Sequence, residues 1–149
     1  MGLKERLKSD LTEAIRARDE VRAGTIRMAL TSITNEEVAG KEARILTDAE
    51  IITVLSREAK KRREAAEAYD SAGSKERGDR ERAEGLVIAE YLPSQLSESE
   101  LQEMIKTAIV ETGATGPSGM GQVMKVLSPK IAGRADGSKV SAAVKAALS

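Results

Sequence analysis

No histidine and no cysteine occur among the 149 residues of this chain, and neither tryptophan nor phenylalanine is present. Those absences exclude a thiolate nucleophile, a disulfide, a Ser-His-Asp triad, imidazole acid–base chemistry and a His/Cys zinc site. The aromatic residues are Tyr69 and Tyr91 alone, so unpaired bases would find almost no stacking platform. No apolar run approaches the roughly 20 residues of a membrane span. The N-terminal stretch "MGLKERLKSD" has no apolar signal region, and Arg6 stands where myristoylation needs Ser or Thr. The chain therefore reads as a soluble cytoplasmic protein. It also lacks GxxxxGKS and GxGxxG. "GPSGMG" at 116–121 has no lysine at the P-loop position, and its glycines suit a tight helix entry.

What remains for a core is Leu, Ile, Val, Met and Ala, which suit helix-on-helix packing. Leu3, Leu7, Leu11 and Ile15 recur at helical spacing, and Ile26, Leu30 and Ile33 follow. With Gly24 between them, these read as one long helix or two nearly continuous ones ending near Gly40. "TDAE" at 47–50 is a capping box opening a helix to about Ser71. "AGS" at 72–74 is a turn, and Pro93 stops the next helix. "SESE" at 97–100 is a second capping box, followed by the stripe Leu101, Met104, Ile105, Ala108 and Ile109. Met120, Val123, Met124, Leu127 and Ile131 mark another helix. Pro129 should kink or end it, Gly133 suits the left-handed position after it, and Asp136 can cap the last helix. Period-2 alternation is not sustained anywhere. The fold class is all-α: long helices over 1–92 and a small three-helix bundle over 93–149.

Formal charge is balanced, with 24 basic and 24 acidic residues. The densest basic cluster is "REAKKRRE" at 57–64, where the i,i+4 pairs Lys60–Glu64, Glu58–Arg62 and Arg63–Glu67 compensate the charge and favour a solvated face. Arg62 differs, because its angle puts it in the apolar stripe, where it needs a carboxylate partner or must extend to solvent. The second half segregates its charge. Residues 93–116 carry four acidic side chains against Lys106, whereas 117–149 carry five basic ones against Asp136. Lys130, Arg134 and Lys139 crowd one short turn, with Lys125 and Lys145 on the helices either side. That pattern fits a phosphate-binding turn and equally a helix hairpin with solvated charges. Neighbouring carboxylates such as Glu36 and Glu37 diverge on a helix, so no acid–base or metal pair is evident, and no cofactor is implied.

Four stretches, "EAKKRREAAEAY" at 58–69, "EYLPSQLSESEL" at 90–101, "MGQVMKVLSPKIAGRADGSKV" at 120–140 and the closing "VKAAL", resemble the YqeY-like family. Nearly the whole chain is covered. Gly119 departs from the pattern, which has an acidic residue just before the Met. The family shares its tail with the C-terminal domain of the GatB subunit of the tRNA-dependent amidotransferase, where the tail grips tRNA. The resemblance implies an RNA-binding role for Lys125, Lys130, Gly133, Arg134 and Lys139, to which the charge pattern adds Lys145. It implies no catalytic centre, because the chain has no transamidating domain. The expected partner is tRNA or another folded RNA. A helical protein-interaction module working in translation is the alternative, and an accessory to glutamine-dependent amidotransferase activity is the second.

Overall fold

Apolar side chains three and four residues apart form one stripe on each helix, and the stripes meet in two separate cores. In the computed structural model, which describes residues 2–149, every regular element is helical. The helices are α1 (Leu3–Arg16), α2 (Glu20–Glu37), α3 (Asp48–Ser71), α4 (Lys75–Ala89), α5 (Glu98–Thr112), α6 (Met120–Ile131) and α7 (Gly137–Ala147). A short 3-10 turn, Pro117–Gly119, precedes α6. The chain divides into two compact units, Met1–Leu92 and Pro93–Ser149.

The first unit packs Leu7, Ile26, Ile33, Ile51 and Leu55 with Ile88 and Tyr91. Burying each large aliphatic side chain stabilises the unit by roughly 1.5–3 kcal/mol. α1 and α2 are distinct helices, and the break lies at Ala17–Asp19 rather than at Gly24, which sits inside α2. Arg18 takes the left-handed conformation there (φ 58°). The Asp19 amide donates back to the Ala14 carbonyl at 3.0 Å, closing α1 in a Schellman-type turn. Asp19 then caps α2 by accepting from the Arg22 amide.

Glu37, buried at the end of α2, receives the Lys4 ammonium at 2.6 Å and the Leu46 amide at 3.2 Å. These donors, Lys4 first, hold its carboxyl below the usual range and fix the connection to α3. Thr47 and Glu50 exchange both hydrogen bonds of the capping box. α3 and α4 approach closely at Gly78, where a Cβ would crowd Asp70 and lie 3.2 Å from the Ala66 carbonyl oxygen. The half-buried Arg62 on α3 meets Glu81 and Glu84 of α4, each at 3.4 Å. This is the carboxylate pairing its place in the apolar stripe demanded.

The second unit packs α5, α6 and α7 around Ile105, Val123, Leu127, Val140 and Val144. The Ser97–Glu100 capping box opens α5, and Gly113 ends it in the left-handed conformation (φ 68°). Pro129 lies inside α6 rather than ending it. It deprives the Lys125 carbonyl of its donor, yet Ile131, buried in the core, carries the helix two residues further. Asp136 caps α7, its carboxylate accepting from the Ser138 amide at 3.0 Å.

Candidate nucleic-acid interface

The connection between α6 and α7 is short because the chain reverses within a few residues. Ala132 leaves α6 with an extended ψ of 121°. Gly133 then adopts φ 73°, a conformation in which a side chain would be strained. The Arg134 amide donates to the Ile131 carbonyl at 2.8 Å and closes the turn. Lys130 sits on the last turn of α6, and Lys139 follows in the first turn of α7.

The structure treats the six sequence-derived residues differently. Lys125, Lys139 and Lys145 are exposed, and none forms an ion pair among the described residues. Lys130 is half-exposed and lies 3.8 Å from Glu111 of α5. Arg134 is partly buried, and its Nε–H donates to the Ser94 carbonyl at 3.0 Å. Gly133 supplies the bend.

These cations do not form one tight cluster. At about 100° per residue, Lys125 and Lys130 project about 140° apart around α6, and Lys139 and Lys145 about 120° apart around α7. Lys130, Arg134 and Lys139 flank the turn in sequence, and Lys125 and Lys145 lie further along the two helices. Glu111 answers Lys130, and the other nearby carboxylates serve as helix caps. Asp136 is engaged at the α7 N-terminus, and Glu100 is engaged in the α5 capping box. The Ser97 hydroxyl and amide hold the Glu100 carboxyl below its ordinary range, and nearby Arg134 adds to that pull.

Sequence reasoning missed how the turn is held. The Gln95 side-chain amide donates to the Gly133 carbonyl at 2.8 Å, and the Leu96 backbone amide donates to the Arg134 carbonyl at 2.9 Å. Gln95 also reaches the Pro93 carbonyl at 3.0 Å. The "LPSQL" stretch beside a charged turn 38 residues away left no periodic signal for this pairing.

The first unit contains the other dense polar cluster. The Tyr91 hydroxyl donates to Asp10 at 2.5 Å, and the Arg6 guanidinium lies 4.6 Å from the ring centroid. Arg22 pairs with Glu90 at 2.6 Å. Burial first, and then Asp10, push the Tyr91 hydroxyl up from its ordinary range, so it stays protonated and ties α1 to the end of α4. A groove of about 480 Å³ between α1 and α2 has Arg18 and Arg27 on its rim together with Asp19 and Glu20. Among the described residues no three acidic side chains converge as a metal site requires, and no helix is long and apolar enough to cross a membrane.

The chain is 29% identical over 133 residues to altered inheritance of mitochondria protein 41, mitochondrial, from Pyrenophora tritici-repentis (strain Pt-1C-BFP). That match covers 87% of this chain and 71% of the fungal protein. The family profile of the Yqey-like proteins matches residues 4–148. The span runs from the first turn of α1 to the last core residue, Leu148, and the chain belongs to the YqeY-like family.

Proposed function

We propose that the second unit is a binding module for folded RNA, tRNA in the first instance, working through the α6–α7 turn and the helices beside it. One observation carries this reading. Of the five cations after Pro117, Lys125, Lys139 and Lys145 have no ion-pair partner among the described residues, and Arg134 makes one side-chain hydrogen bond there, through its Nε–H, with the Glu100 carboxylate nearby. Such a surplus suits a polyanion. Cations spread about 120–140° around two helices suit phosphates on both sides of a groove better than one small anion. The second unit has no aromatic residue, so contact is through backbone shape and charge rather than base stacking. The resemblance to the tRNA-gripping tail of the amidotransferase points the same way. We place the activity in the cytoplasm, without a catalytic step of its own.

The test is a tRNA titration across salt concentrations with the full chain and a Lys125→Ala/Lys139→Ala/Lys145→Ala variant. All three side chains are exposed, so the fold should tolerate the change. Each lost phosphate contact should flatten the log–log salt slope by roughly 0.7–0.9, about two to three in total. A variant with the wild-type affinity and slope removes the site. Stoichiometric recovery of a protein partner that survives RNase would instead support the interaction-module reading.

A further inference from the structure

Two of the stretches that carry the family resemblance, "EYLPSQLSESEL" and "MGQVMKVLSPKIAGRADGSKV", meet at the α6–α7 turn. The RNA reading uses the second and leaves the first unexplained. Three hydrogen bonds join them. The Gln95 side chain donates to the Gly133 carbonyl, the Leu96 amide donates to the Arg134 carbonyl, and the Arg134 Nε–H donates to the Ser94 carbonyl, at 2.8, 2.9 and 3.0 Å. The first two satisfy successive carbonyls of the tightest part of the turn. The third fixes the guanidinium rather than the backbone.

The consequence for Arg134 is specific. A free arginine side chain loses rotamer freedom when it is immobilised. Here the Nε–H anchor has fixed much of the side chain beforehand. The two terminal nitrogens make no hydrogen bond among the described residues, and they are the pair that can grip a phosphate with two parallel bonds. Gln95 acts one step back, by holding the Gly133 carbonyl and thus the left-handed bend from which Arg134 projects.

We propose that the segment Ser94–Leu96 is a brace that orients Arg134 for a two-pronged phosphate contact, with Gln95 as a positioning residue of the RNA site. The inference rests on the RNA-binding reading above and adds a claim that charge alone does not make. Arg134→Lys keeps the charge, but lysine has neither an Nε–H to anchor nor a second terminal nitrogen. Gln95→Met keeps the side chain's length and removes its donor.

The experiment is a tRNA titration with the full chain, comparing wild type, Arg134→Lys, Gln95→Met and the double variant, alongside exchange of the Arg134 Nε–H followed by NMR. Arg134→Lys should bind about tenfold more weakly at fixed salt, as loss of a pre-oriented bidentate contact implies. Its salt slope should be unchanged, because the charge count is unchanged. Gln95→Met should weaken binding by a smaller factor and speed Nε–H exchange. The double variant should be no weaker than Arg134→Lys alone, since both changes remove one device. If Arg134→Lys and Gln95→Met bind like wild type, the brace has no part in recognition and the proposal is overturned while RNA binding stands. If wild type shows no salt-dependent tRNA binding, the RNA reading and the brace's role both fall, even with a protected Nε–H.

Discussion

Lys130 is the residue at which the proposed RNA contact would compete with a partner inside the protein. It lies 3.8 Å from Glu111, and each side chain is half-exposed. A pair so open to water holds weakly, so a phosphate can displace the carboxylate, but Glu111 still opposes an incoming polyanion. Glu111→Gln should therefore tighten tRNA binding by about threefold, within the range of an exposed pair, and should lower the salt dependence of the helix fold itself very little. Unchanged or weaker binding in a titration at low salt would show that Lys130 faces away from the RNA. The pair could not be read from sequence, because Glu111 and Lys130 belong to different helices and no i,i+4 spacing links them. Arg62 was legible for the opposite reason: its angle within its own helix placed it among apolar residues, where it needed a carboxylate or a path to solvent, and only the structure named Glu81 and Glu84 as the carboxylates.

Helix boundaries were legible at three caps, though not at the Asp19 cap of α2. Thr47 with Glu50, Ser97 with Glu100, and Asp136 all act as caps. The α1–α2 break was not legible, because the left-handed residue there is Arg18 and nothing in an arginine signals a turn. Gly24 drew attention instead, although it is ordinary helix within α2, with no atom close to the place of its missing Cβ. The glycines therefore sort by packing. Gly24→Ala should stabilise the fold by roughly 0.5–1 kcal/mol, the usual advantage of alanine in a helix. Gly78→Ala should destabilise it, because the new methyl group meets the Ala66 carbonyl and Asp70 where α3 and α4 press together. Thermal unfolding of the two variants should shift in opposite directions. A common direction would mean that helix propensity, not the α3–α4 approach, governs both positions. The brace on Arg134 lies beyond such rules altogether: its acceptors are backbone carbonyls, which every residue has.

For the molecule as a whole, what matters is that there are two cores. Leu7, Ile33 and Leu55 belong to one, and Ile105, Val123 and Val144 to the other. The all-helical class followed from a core restricted to aliphatic residues, but it took the structure to show which stripes share a core. A unit as small as the second buries a smaller fraction of its unfolded surface than a larger domain does, so a single core change weighs heavily in it. Val144 is fully buried at the centre of that unit. Val144→Ala should cost about 2 kcal/mol in lost transfer energy and cavity. Amides that exchange only through global opening of the second unit, such as those of Ile105 and Leu127, should then exchange about 30-fold faster. Amides of Ile33 and Leu55 should keep their wild-type rates. Because the same core supports α6 and α7, tRNA affinity should fall with the population of the folded unit, and only near its unfolding temperature. Hydrogen exchange resolved by residue checks this directly. Acceleration spread evenly over both cores would mean that they open together, and the turn would then owe its geometry to the entire chain rather than to the three helices that carry it.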